Sequence, residues 1–134
     1  VVADDNFAYV TLRAMDNGTS CGPAQTNSLL VLDIKNLAIP KLLSTYQMRN
    51  PYGLGIDGKN LFICEGESGL KRFNRSENFG VVENMLEFME SVDAFDVIPH
   101  DNVLIVTGKD GIYQFDYSES KEMKLLSKIP KTKF

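Results

Sequence analysis

The stretch Gly69-Leu70-Lys71-Arg72-Phe73-Asn74 decides the fold, because the chain repeats it. It returns as Gly111-Ile112-Tyr113-Gln114-Phe115-Asp116, and Ser28-Leu29-Leu30-Val31-Leu32-Asp33 is an earlier copy. The spacing between the closing residues is 41 from Asp33 to Asn74 and 42 from Asn74 to Asp116. A period in the low forties with strand-like composition is typical of stacked β-units, which bury their faces only against one another.

Two further segments extend the repeat over the whole chain. Asn60-Leu61-Phe62-Ile63-Cys64 matches the segments that begin at Asn6 and Asn102, and residues 52–56 match residues 94–98. The first copy is longer, and we assign its extra residues to an insertion at 13–28. The sequence therefore predicts a single segment, residues 1–134, built from three units. Their approximate bounds are 1–48, 49–90 and 91–134.

Each unit is predicted to contain four short strands. In the second unit these are residues 52–56, 60–64, 70–75 and 84–89. Asp57-Gly58 is typical of a two-residue hairpin turn between the first two of them. Residues 84–89 also fit a helix, but the equivalent residues 123–129 are flanked like a strand. Four antiparallel strands per unit at this period predict an all-β fold consisting of three blades of a β-propeller.

Three blades are fewer than the four to eight that propellers usually contain. The chain is therefore expected to be either part of a larger propeller or one half of a homodimer that closes a six-bladed ring. Residues 1–5 align partway into the first strand of a unit, which favours a fragment whose earlier blades are missing. No signal for export can be read from such a start.

Composition excludes several classes of function. The net charge is −4 and the isoelectric point is about 4.9, which argues against nucleic-acid binding. No apolar run reaches the roughly 18 residues that a transmembrane helix needs. His100 is the only histidine, so the chain holds no multi-histidine metal site. No glycine-rich phosphate loop opens a helix, and we predict no cofactor.

The two cysteines are predicted to lie on the same face of adjacent blades. Cys64 ends the second strand of unit two, and Cys21 lies in the insertion of unit one. A disulfide between them would close a loop of roughly 40 residues and would indicate an exported protein. The alternative is two free thiols that behave as small hydrophobic groups.

Four residues are candidates for ligand binding, because propellers bind ligands at the innermost strands and the loops at one end. Asp96 and Tyr52 lie on inner strands, and Asp16 and Asn17 lie in the insertion. The alternatives are a hydrogen bond from Asp96 to the backbone of a neighbouring blade, simple packing for Tyr52, and a variable surface loop for the insertion.

Glu65 and Glu67 flank Gly66 in a turn, and paired carboxylates are ligands that Ca²⁺ prefers. The third unit has Thr107 and Lys109 at these positions, so we interpret the turn as a solvated one.

The chain resembles the LVIVD-repeat proteins, a β-propeller family of bacteria and archaea. Leu30-Val31-Leu32-Asp33-Ile34 is similar to the signature strand, and Ile39-Pro40-Lys41-Leu42-Leu43 is similar to its continuation. Residues 94–99 and 111–117 resemble the last blade of the versions common in Bacteroidetes. Lys71-Arg72 and the insertion depart from the pattern. The resemblance implies an exported protein, often a surface lipoprotein, and supplies no catalytic residues.

The sequence thus predicts a non-enzymatic binding module of an exported bacterial β-propeller, with a protein or glycan partner and no catalytic residue. The alternative is a propeller hydrolase or lyase. In that case Asp96, together with carboxylates of further blades, would bind Ca²⁺ in the central channel.

Overall fold

The computed structural model describes residues 1–14, 26–119 and 122–132. These residues form twelve strands and no helix, so no described helix is long and apolar enough to cross a membrane. The strands are β1 (Val2–Ala3), β2 (Phe7–Leu12), β3 (Ser28–Asp33), β4 (Lys41–Gln47), β5 (Leu54–Asp57), β6 (Asn60–Cys64), β7 (Leu70–Arg75), β8 (Val82–Met89), β9 (Ala94–His100), β10 (Val103–Gly108), β11 (Gly111–Asp116) and β12 (Lys124–Pro130). The all-β prediction is confirmed.

The strands form three antiparallel sheets of four strands each, and every sheet follows chain order. Sheet 1 contains β1 to β4, sheet 2 contains β5 to β8, and sheet 3 contains β9 to β12. The predicted strands 60–64 and 70–75 coincide with β6 and β7, whereas β5 begins at Leu54 rather than at residue 52. The helical alternative for residues 84–89 is wrong, because they lie within β8 and pair with β7.

The register of unit two differs by one residue from the register predicted by the sequence repeat. The closing residue of each repeat copy pairs with one residue of the second strand: Asp33 with Phe7, Asn74 with Asn60, and Asp116 with Val103. Asn60 therefore corresponds to Phe7 and Val103, whereas the sequence repeat matched it with Asn6 and Asn102. The cause is the hairpin turn. Asp57 pairs with Asn60, so the turn is formed by Gly58 and Lys59, not by Asp57 and Gly58. A slip of one residue moves every side chain of a strand to the other face.

Sheet 2 lies between the other two sheets and buries a face against each of them. Alternate residues of a strand point to opposite faces, so Leu61 and Ile63 pack against sheet 1 while Phe62 and Cys64 pack against sheet 3. All four side chains are fully buried. Burying an aliphatic or aromatic side chain of this size contributes about 1.5–3 kcal/mol, so these two contacts supply much of the stability.

Arg72 links sheet 2 to sheet 3. Its guanidinium is buried and donates to the side chain of Asn60 at 2.9 Å and to the carbonyls of Tyr117 and Glu119 at 3.0 and 2.7 Å. A buried arginine is tolerated at this strand position because it satisfies backbone carbonyls of the neighbouring sheet.

Arg75 makes the matching link between sheet 2 and sheet 1. It donates to Asp4 Oδ2 at 2.7 Å and to the hydroxyl of Tyr9 at 3.2 Å. Burial alone would raise the pKa of Asp4, but the backbone N–H groups of Asn6 and Phe7 and the Arg75 guanidinium together lower it. The ionised form of Asp4 is therefore the form that stabilises the fold.

Two equivalent glycines lie at the start of the third strands of sheets 2 and 3. Gly69 has a φ of +91° and Gly111 a φ of +141°, a region that residues with a Cβ rarely adopt. A Cβ on Gly111 would overlap the carbonyl oxygen of Ile129 on the adjacent strand. The repeated glycine is thus required by both the backbone angle and the strand pairing.

We predict that Gly111→Ala lowers the free energy of unfolding by about 3 kcal/mol or more, since it adds steric overlap to an unfavourable φ. Gly58→Ala is the matched control, because Gly58 also has a positive φ of +53° but a Cβ there meets only Glu77 Oε1 at 3.9 Å. Its expected loss is about 1 kcal/mol. Urea denaturation measures both values, and equal losses would show that the overlap is not the cause.

We also predict that Asp4→Asn destabilises the protein by about 1 kcal/mol at pH 7, and that the difference disappears at low pH. A carboxyl whose pKa is lowered by folding contributes stability above its unfolded pKa, and this is lost as pH falls below about 4. Urea denaturation between pH 7 and pH 3 measures the effect, with Asp5→Asn as the control. A difference that does not change with pH would contradict the role of the charge.

Candidate functional site

A cleft of about 640 Å³ opens where the first strands of the three sheets approach one another. β1 lies near β5, and β5 lies near β9, so each sheet contributes its first strand to the same region. The polar and aromatic side chains of the cleft come from β2, β9 and the segments beside β2 and β5. They are Thr11, Arg13, Tyr52, Phe95 and Asp96, with Gly53 between them.

Tyr52 and Phe95 form the aromatic part of the cleft. Their ring centroids lie 5.4 Å apart in an edge-to-face arrangement, which aromatic pairs prefer. The guanidinium of Arg13 lies 4.0 Å from the centroid of the Tyr52 ring, a cation–π contact. These three side chains place two rings and a positive charge beside one another.

Asp96 supplies the negative charge of the cleft. Its side chain is exposed, and its Oδ1 accepts a hydrogen bond of 2.9 Å from the backbone N–H of Val97. The alternative, in which Asp96 accepts a hydrogen bond from the backbone of a neighbouring sheet, is therefore wrong, because the N–H that it accepts from belongs to the same strand. Gly53 of the segment before β5 lies directly against Asp96 and donates its N–H to the carbonyl of Phe95 at 2.8 Å.

Backbone hydrogen bonds hold Tyr52 in place. Its N–H donates to the carbonyl of Cys64 at 2.7 Å, and its carbonyl accepts from the Thr11 hydroxyl at 2.8 Å. The chain before it is fixed by Glu65, whose Oε1 accepts from the N–H groups of Arg49 and Asn50 at 2.6 and 3.2 Å. The aromatic wall of the cleft is therefore held through its main chain.

Glu65 is fully buried, and its second oxygen bonds the ammonium group of Lys71. The prediction of a solvated turn is wrong for Glu65, although Glu67 is exposed. Comparison with the third unit led to the wrong prediction, because Thr107 and Lys109 are not acidic and do not indicate that Glu65 is buried and hydrogen-bonded.

The structure brings Asp96 and Tyr52 into one cleft, 44 residues apart in the chain. Asp16 and Asn17 lie outside the described residues. A ligand role for all four residues stays a prediction. Arg13, Thr11 and Phe95 were missed by sequence reasoning, and the corrected register would have revealed Phe95, because it corresponds to Tyr52 once Asp57 is aligned with His100.

Cys64 is fully buried, and its carbonyl accepts the N–H of Tyr52. Burial, and to a smaller extent the nearby charge of Asp96, raise the pKa of its thiol. Cys21 lies outside the described residues, so the disulfide between the two stays a prediction.

No group of three or more histidine, cysteine, aspartate or glutamate side chains that could hold a metal ion occurs within the described ranges. A Ca²⁺ site at Asp96 with three or more carboxylate ligands would therefore need carboxylates from outside them. His100, the single histidine, is exposed at the β9–β10 turn beside Asp101, away from the cleft.

Comparison of the chain with models of known protein families, with curated proteins and with solved structures finds no match.

We predict that Cys64 is unreactive in the native protein. In a Cys21→Ser variant, an aromatic disulfide reagent at pH 8 is expected to label no thiol until denaturant is added, and one thiol afterwards, because the group is buried and its thiolate is disfavoured. Absorbance of the released thiolate measures the reaction. Rapid labelling without denaturant would contradict the burial of Cys64.

Proposed function

We propose that the three sheets are consecutive blades of a β-propeller, and that the cleft at their first strands is the ligand site of a non-enzymatic binding module. The stacking of sheet 2 between sheets 1 and 3 supports the blade arrangement. So does the position of β1, β5 and β9, because propeller blades approach one another most closely at the innermost strands around the channel.

The observation that carries the proposed binding role is the cleft itself. Its volume of about 640 Å³ falls within the range of small-ligand pockets. A protein partner would instead need roughly 800 Å² of contact surface on this side. A concave site of this size favours a small polar ligand or the end of a chain-like one.

We propose a carbohydrate as the ligand class. Phe95 is 39% exposed and offers an aromatic surface beside Tyr52, on which the apolar face of a sugar ring can pack. Asp96 accepts hydrogen bonds and Arg13 donates them, so the two together match hydroxyl groups, which do both. Opposite charges in one cleft favour a neutral ligand over a strongly anionic one.

We further propose that the chain is related to the LVIVD-repeat proteins and is exported. The signature-like residues 30–33 support the relation, since they are the last four residues of β3 and so lie in a strand, as that repeat requires. A disulfide between Cys21 and Cys64, if it forms, would support export.

We predict that the protein binds glycans on an immobilised panel through this cleft. Asp96→Asn and Phe95→Ala are each expected to weaken binding by about tenfold, because each removes about 1.4 kcal/mol of contact or charge-assisted hydrogen bonding. Binding isotherms for the glycans retained by the wild-type protein measure the change.

Each variant has a matched control on the surface away from the cleft. Asp101→Asn changes an exposed aspartate in the β9–β10 turn, and Phe88→Ala changes a phenylalanine that is 43% exposed on β8. Both are expected to bind as the wild-type protein does. Wild-type binding by the cleft variants would place the site elsewhere, and a panel with no bound glycan would contradict a carbohydrate ligand.

A further inference from the structure

Sheet 3 carries an apolar face that no described residue covers. Val106 and Tyr113 point to sheet 2, so the residues next to them in the strands point away from it. On that side Ile105 pairs with Ile98, and Ile112 pairs with Ile129. Ile98 is 61% and Ile129 65% exposed, and a groove of about 650 Å³ runs along Ile112 and Ile129. We call this surface the forward face of sheet 3.

Sheet 1 carries the corresponding surface at the other end of the stack. Tyr9 and Val31 point to sheet 2, so Val10, Leu30 and Leu32 point away from it. Leu32 pairs with Leu42, which is 59% exposed. We call this surface the backward face of sheet 1.

These two faces are the same kinds of surface that already pack together inside the chain. Leu29, Leu70 and Ile112 occupy one repeat position on the forward faces of sheets 1, 2 and 3. Leu29 and Leu70 are fully buried by the sheet that follows each of them, whereas Ile112 is 42% exposed. This repeat position is therefore covered by a following sheet in sheets 1 and 2 but is exposed in sheet 3.

We propose that a second copy of this chain covers both faces and closes a ring of six sheets. The forward face of sheet 3 in each copy packs on the backward face of sheet 1 in the other, in the way that sheets 1 and 2 and sheets 2 and 3 pack within one copy. Each chain has one uncovered forward face and one uncovered backward face. Two copies therefore cover all four faces by forming two identical contacts. The inference rests on the blade arrangement proposed above.

Closure by two copies is consistent with the number of sheets. Head-to-tail contacts form a ring when the rotation closes and an open filament when it does not. Six sheets lie within the range of four to eight blades that closed propellers contain.

Light scattering of the 134-residue chain tests the proposal, and the expected mass is twice the 15.0 kDa of one chain. Ile98→Lys on the forward face and Val10→Lys on the backward face are each expected to raise the dimer dissociation constant about 100-fold or more, because a lysine would be buried in an apolar contact. Val10 occupies the repeat position of Ile63 and Val106, which the packed sheets bury fully. Ile39→Lys is the matched control, since Ile39 is also 61% exposed but lies between β3 and β4, off both faces. Far-ultraviolet circular dichroism checks that each variant keeps its strands.

Mixing the two face variants gives the sharpest result. Each variant alone damages both contacts of its own dimer, but a mixed dimer of Ile98→Lys with Val10→Lys keeps one contact intact. Partial return of the dimer on mixing is therefore expected. A folded wild-type monomer, assemblies that lengthen with concentration, or no recovery on mixing would overturn the proposal. Glycan binding on the same samples separates the two ideas, because a monomer that still binds overturns only the ring.

Discussion

The structure depends on the burial of sheet 2 on both of its faces. In an antiparallel sheet with one solvated face, the residues that point to solvent can be polar. In sheet 2 both faces are covered, so neither the odd-numbered nor the even-numbered residues of β6 point to solvent. Leu61 and Ile63 serve one contact while Phe62 and Cys64 serve the other. A slip of one residue would exchange the two sets between sheets of different shape, so the register of β6 is specified by both neighbours at once.

The buried arginines of β7 follow the same alternation. Arg72 and Arg75 are three residues apart, so their side chains point to opposite faces, one towards sheet 3 and the other towards sheet 1. Burying a charge carries a large desolvation cost, so such groups specify an arrangement more than they add stability. Within the described residues, Arg75 Nε is the buried side-chain atom that lacks a partner. The two arginines thus tie sheet 2 to polar partners on both of its neighbours.

Much of this fold could be predicted because its information is local and repeated. The copies that end at Asp33, Asn74 and Asp116 identify the third strand of each sheet, and the strands β6 and β7 follow residue by residue. The hairpin at Gly58 and Lys59 was misplaced by one residue, since Asp57-Gly58 and Gly58-Lys59 are both acceptable turn sequences. Contacts such as that of Arg72 with the carbonyl of Glu119, 47 residues away, have no sequence signal.

Only part of the cleft could be predicted, because its formation also depends on contacts between residues far apart in the sequence. Asp96 and Tyr52 were visible as polar and aromatic residues on first strands, but what brings them together is a glycine. Gly53 lies so close to Asp96 that any Cβ would overlap its carboxylate, and the Gly53 N–H bonds the carbonyl of Phe95. The distance between sheets 2 and 3 at the cleft is therefore set by direct contact of the main chain at Gly53 with the main chain of β9. Side chains around the cleft could then differ without changing its width, which suits the ligand site that we propose there.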